Sequence, residues 1–151
     1  MSMKSINFDT GVKRYALNGD ENNCIEINVC DPNVIARFER LQPVLEAELD
    51  KVNGFWELDT AERTALDTKL KNLLDEMFDA DISSKVFGNA SCLSPLASGE
   101  IFIMAFLDAF IPVIGKDISF AQKSFMKNSA KKAEKYIADS ESAELKPGDA
   151  E

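Results

Sequence analysis

Four carboxylates crowd together at Asp75, Glu76, Asp79 and Asp81. Two or three of their oxygens could hold a divalent cation, but the spacing lacks the loop glycine and distal glutamate of a calcium-binding hand. A solvated acidic helix end is therefore the expected reading, with no metal. Cys24, Cys30 and Cys92 are odd in number and fit no zinc spacing. Free structural thiols in a reducing compartment account for them. The chain contains no histidine, which removes the commonest general base and the commonest transition-metal ligand together. Each cysteine and serine thus lacks a histidine partner, and no Ser-x-x-Lys or Gly-x-Ser-x-Gly pattern occurs. The seven glycines are scattered, and none builds a phosphate-cradling loop ahead of a Lys-Ser/Thr pair. The expectation is a non-enzyme without catalytic residues or cofactor.

The remaining candidates are surfaces. Lys123, Lys127, Lys131 and Lys135 recur every fourth residue and form one line along a helix. Residues 116–135 hold six lysines against Asp117 and Glu134, a local net charge of +4 in a chain of net −9. A solvated lysine face is the ordinary reading. A docking face for an acidic partner, for the acidic tail or for the acidic helix of another copy is the functional one. Nucleic acid is not expected, because interleaved aromatics and arginines are lacking and the whole chain is acidic.

The second surface is the run Ile101 to Ile114, in which Asp108 is the single charge. Its apolar residues fall on every side of a helix, so something must cover all of them. The run is too short for a bilayer, which needs about 20 apolar residues. A buried core helix is the ordinary reading; the sharper one has another chain covering part of it. Ile101, Phe102, Phe106 and Phe110 are the candidate partner-binding residues. Asp108 should sit at an exposed edge or pair with a lysine or arginine, because an unpartnered buried charge is costly.

The elements that position these residues follow from local chemistry. Residues 1–11 are polar and expected to be loose, with no signal-peptide core, and a cytoplasmic protein is the expectation. Asn18-Gly19 between two extended runs predicts a hairpin, whose second strand turns Ile25, Ile27 and Val29 to one face. Asp31 and Pro32 open a helix with a stripe of Val34, Phe38, Leu41, Leu45, Leu49 and Val52. Pro43 should kink or end it, and Asn53-Gly54 should close it. Phe55 to Leu58 reads as an apolar linker. Asp59 and Glu62 start the next helix, which buries Leu66, Leu70, Leu73, Leu74, Met77 and Phe78 and turns Asp67, Lys69, Lys71 and Asp75 to water. A short helix over 82–87 and a break at Gly88 follow. Ser94 and Pro95 should open the central helix, Pro112 bend or end it before Gly115, and Asp117 cap a last helix with Ile118, Ala121, Phe125, Ala133 and Tyr136 inward. Residues 138–151 contain one large apolar side chain and are expected to be a disordered acidic tail. The fold class is mainly α: an N-terminal hairpin packed on about five helices, one domain over 12–137.

The Tyr15-Ala16-Leu17-Asn18-Gly19-Asp20 hairpin with Asp31-Pro32-Asn33 after it, the Val86-Phe87-Gly88 break and Phe106-Leu107-Asp108-Ala109-Phe110 together form a pattern. Over roughly 12–116 it resembles the small, acidic, mostly helical tail assembly chaperones of siphophages and prophages of Gram-positive bacteria. The resemblance is one of layout, and that family has no catalytic residues to carry over. It implies a protein that coats the tape measure protein and recruits tail tube subunits, and a longer frameshifted form attached near Leu145-Lys146-Pro147-Gly148. A homo-oligomer, without nucleic acid or membrane, is the matching expectation. The competing readings are a structural virion protein of head–tail connector or tail terminator type, and a small regulator using the lysine stripe.

Overall fold

The fold is taken from a computed structural model, which describes the backbone of residues 2–144 and the side chains of residues 2–124, Met126 and Lys127. Among the described residues it is mainly helical, with a two-stranded antiparallel hairpin at the N-terminus and five helices. The chain divides into two compact units, residues 1–114 and 115–151.

Strands β1 (Val12–Leu17) and β2 (Asp20–Asn28) are joined by Asn18-Gly19. Both turn residues have positive φ, 52° and 77°, the pairing that matches the twist of a two-residue hairpin. Tyr15 lies opposite Ile25 and Lys13 opposite Ile27, and the register breaks between Ala16 and Leu17. Ile25, Ile27 and Val29 are buried and Glu26 is exposed, as strand alternation demands. At the entry to β1, Gly11 adopts φ +85°, and a Cβ there would stand 2.9 Å from Asn28 Oδ1 and from Cys30 Sγ. Only glycine fits this corner without strain.

Helix α1 (Pro32–Leu49) starts as expected: Asp31 accepts the Asn33 N–H at 2.9 Å and Pro32 takes the first turn. Pro43 does not end it, and the helix runs through to Leu49. It stops before Asn53-Gly54, which instead lies inside a separate 3₁₀ helix, Val52–Glu57. Gly54 there has φ −106°, so it is no left-handed stop. The expected linker is thus partly helical, with Phe55 buried and Trp56 exposed.

Helix α2 (Thr60–Phe78) is capped by Asp59, which accepts the Glu62 N–H at 2.7 Å. Leu66, Leu70, Leu73 and Leu74 are buried. Two of the carboxylates assigned to water are engaged instead. Asp67 accepts the Cys92 N–H at 2.8 Å, and Asp75 accepts the N–H groups of Ile82 and Ser83 and the Ser83 hydroxyl. Lys71 likewise donates to the Ala90 carbonyl at 2.9 Å. These side chains staple the irregular stretch after α2 to the helix, whose backbone groups would otherwise lack partners. Helix α3 (Ser83–Phe87) lies in that stretch.

The central helix does not begin at Ser94. Residues 92–101 form turns closed by a bridge between Pro95 and Ile101, with Gly99 at φ +87° and the Leu96 N–H on the Glu100 carbonyl at 2.7 Å. Helix α4 spans Phe102–Glu144. Pro112 neither ends it nor separates a last helix, and Asp117 lies within it rather than capping one. The fixed φ of proline is compatible with a helix, but the ring removes one backbone bond and crowds the carbonyl one turn earlier. Residues 138–144, expected in the tail, are helical by backbone. The rest of that tail, 145–151, and the side chains of Phe125, Ala133 and Tyr136 lie outside the described residues. Among the described residues no helix is long and apolar enough to cross a membrane.

One core joins α1, the 3₁₀ helix, α2, α3, the turns after α3 and the start of α4. Leu41, Leu45, Val52, Phe55, Leu66, Leu70, Leu73, Leu74, Phe87, Cys92, Leu93, Ile103 and Leu107 pack together.

Candidate functional site: an apolar groove beside the hairpin

The start of α4 is not covered all round. Ile103 and Leu107 are buried, whereas Ile111 and Val113 are about half exposed, at 57% and 48%. Asp108 is exposed, the less costly of its two expected placements. Between the exposed and buried sides runs a third face, Phe102, Ala105, Phe106, Ala109, Phe110 and Val113. It forms one wall of a groove of about 510 Å³, and Tyr15, Leu17 and Ile25 of the hairpin with Val86 and Leu96 line the remainder. At the rim stand Asn18, Asp20, Asn23 and Lys85.

Each wall is held by identifiable contacts. Phe102 and Phe106 meet Phe87 edge-on at 4.9 and 6.4 Å between centroids, and Phe110 meets Phe78 at 5.3 Å. Phe106 and Phe110 stack at 5.4 Å. Aromatic pairs in these geometries are favourable beyond their buried area, so the rings form a stiff floor. The hairpin is tied to α3 by a reciprocal pair: Asn23 Nδ2 donates to the Lys85 carbonyl at 2.8 Å, and Lys85 Nζ donates to the Cys24 carbonyl at 3.0 Å. Ala105 and Ala109, one turn apart, leave the space between the rings empty.

Three of the four residues singled out on this run line the groove, namely Phe102, Phe106 and Phe110. Ile101 does not; it pairs with Pro95 and packs against the core. Tyr15, Leu17, Val86 and Leu96 escaped the sequence reading because loops and turns bring them together. Ala105 and Ala109 were legible in principle: small residues four apart between phenylalanines leave a depression on a helix.

Of the lysine stripe, Lys123 and Lys127 are exposed on α4, and the side chains of Lys131 and Lys135 lie outside the described residues. Lys116, Lys123 and Lys127 share a face with Phe120, which is 68% exposed. That aromatic was not recognised from sequence, although its spacing from Lys116 and Lys123 places it there.

The acidic cluster near the end of α2 is not convergent. Asp75 is spent on the amides and hydroxyl that start α3, and Asp81 accepts the Ser84 N–H at 3.2 Å. Among the described residues no group of three carboxylates or thiols is placed to hold a metal ion.

Three side-chain sites carry unusual electrostatics. The Glu48 carboxylate is buried between Lys69 Nζ at 2.8 Å and Lys51 Nζ at 3.1 Å. The Lys69 hydrogen bond, opposed by burial and aided by Lys51, holds its pKa below the ordinary value. Burial pushes the Asp67 carboxyl up, but hydrogen bonds from Cys92 and Lys71 outweigh it and hold the pKa low. Burial, with Asp67 alongside, raises the Cys92 thiol far above the usual range. All three lock α2 to its neighbours, and none opens into the groove.

No family model, curated protein or solved structure matches the chain.

Proposed function

We propose that this protein is a non-enzymatic tail assembly chaperone of a phage or prophage, acting in the bacterial cytoplasm by binding tape measure or tail tube protein. The observation that carries the reading is the groove beside the hairpin, a concave and mainly apolar strip with stacked Phe106 and Phe110 in its wall and the polar Asn18, Asp20, Asn23 and Lys85 in its lining. Such a strip suits the apolar face of an amphipathic helix, read through anchors one turn apart. The sequence resemblance supplies the identity of the client. The net charge of −9 favours solubility while apolar surface stands open.

Co-expression with the tape measure protein tests the reading. The two chains should co-purify, and Ala105→Arg, which fills the groove, should weaken capture by about tenfold or more. Failure to co-purify with a client that is soluble by itself would remove the proposal.

A further inference from the structure

A two-stranded sheet has two outer edges, and here they differ. The edge of β2 lies against α3: Lys85 Nζ donates to the Cys24 carbonyl at 3.0 Å and Asn23 Nδ2 to the Lys85 carbonyl at 2.8 Å. Among the described residues β1 pairs with β2 alone. Leu17 and Asp20 flank the two-residue turn, and the flanking pair of such a turn is a hydrogen-bonded one. Strand alternation then aims the backbone of Tyr15 and Lys13 at β2 and that of Ala16, Arg14 and Val12 outward. Of this row, the Val12 N–H reaches Thr10 Oγ1 at a long 3.4 Å. An outward row of backbone groups is a template for a further strand.

The segment in front of β1 has the chemistry of that strand. Met3, Ile6 and Phe8 are 97, 86 and 76% exposed, and Val12 is about half exposed. Between Phe8 and Val12 lie Asp9, Thr10 and Gly11, with Gly11 at φ +85°. Three residues ending in a glycine of positive φ make a recurrent hairpin loop. This one is already braced, because Asp9 Oδ1 accepts the Gly11 N–H at 2.8 Å and Asn28 Nδ2 donates to the Thr10 carbonyl at 3.0 Å.

We infer that residues 3–8 fold back along the outer edge of β1 as a third antiparallel strand, a strap built into the same chain. The three-residue loop sets the register, with Phe8 beside Val12, Ile6 beside Arg14 and Met3 beside Leu17. Phe8 and Val12 then shield one another from water, and Ile6 lies along the stem of Arg14. On the opposite face Met3 comes to the mouth of the groove, which Leu17 lines. A lone hairpin is marginal, and a third strand supports it. The strap needs no second chain, so the inference goes beyond the proposed function and does not depend on what the groove receives.

Magnetic resonance of the full chain, with hydrogen exchange read at single amides, tests this. The α-protons of Ser5 and Tyr15 should show a close contact, because that pair occupies a non-bonded position with Cα atoms about 4.5 Å apart. Ile6→Pro removes the N–H aimed at Arg14, and the Arg14 and Ala16 amides should then exchange about tenfold faster than in the native chain. Asn7→Pro removes an N–H that faces water and should leave both amides as slow as before. The Tyr15 amide, inside the hairpin, should stay protected in both variants and so report that the hairpin is intact. No contact between Ser5 and Tyr15, or equal Arg14 and Ala16 rates in the native chain and Ile6→Pro, overturns the inference. So does an Asn7→Pro chain that exchanges as fast as Ile6→Pro. None of these results bears on co-purification with the tape measure protein, so the two readings fail separately.

Discussion

Asp75 does more than a surface carboxylate can. It accepts three hydrogen bonds, at 2.9 Å from Ile82 N, 2.7 Å from Ser83 N and 2.9 Å from Ser83 Oγ. Removing it leaves the N–H and hydroxyl of buried Ser83 without that partner, while the Ile82 N–H keeps the Ala80 carbonyl at 2.9 Å, so Asp75→Ala should cost about 2 kcal/mol in denaturant unfolding. Glu48 sets an acid limit. Because its folded pKa is depressed, its contribution is complete above its ordinary value of 4.5 and is lost as pH falls through the folded value. Melting temperature measured from pH 6 downward should drop less steeply in Glu48→Gln, which is already weaker at neutral pH by about 1 kcal/mol, the lysine ends being half in water. Thiol labelling of the native protein should reach exposed Cys30 first and Cys92 last, since Cys92 is fully buried with its thiol pKa raised. Equal labelling rates for the two would contradict the packing around Leu93 and Asp67.

At the scale of elements, α4 carries the least expected feature. Proline inside a helix costs about 3 kcal/mol in an exposed interior position, yet Pro112 lies within a helix that continues to Glu144. Pro112 is exposed, so Pro112→Ala should raise both helicity and melting temperature. A fall in either would mean that the proline shapes the groove wall next to Val113. Legibility was uneven among the elements. The hairpin could be read because Asn18-Gly19 and the alternation of Ile25, Ile27 and Val29 are local signals. The starts of α1 and α2 could be read because a capping side chain serves its own N–H neighbours. The stretch 92–101 could not, since Ser94-Pro95 resembles a helix start in every local respect. What overrides it is distant: Cys92 is held by Asp67 on α2, and its carbonyl accepts the Ile103 N–H at 2.9 Å.

For the molecule as a whole, the net negative charge resides in the first unit: residues 1–114 sum to −9 and residues 115–151 to zero. Crowding nineteen carboxylates into residues 1–114 makes that unit repel itself. Moderate salt should therefore raise the melting temperature. Calorimetry over a salt series checks this; a melting temperature that stays level or falls would mean that self-repulsion does not limit stability. The phenylalanines of the central run were legible as important, but their division of labour was not. Phe102, Phe106 and Phe110 share one helical face by spacing alone. That this face is half open depends on where the hairpin and Leu96 come to rest. The sequence by itself determined the hairpin, the helical stripes, the absence of histidine chemistry and where the net charge lies, since all of these reside in spacing and composition. Only the tertiary structure decided that α4 passes Pro112 unbroken, that Asp67 and Asp75 turn inward and that a groove remains beside Ala105 and Ala109. The last two outcomes depend on contacts between residues far apart in the chain, whose energies exceed the local preferences that a sequence displays.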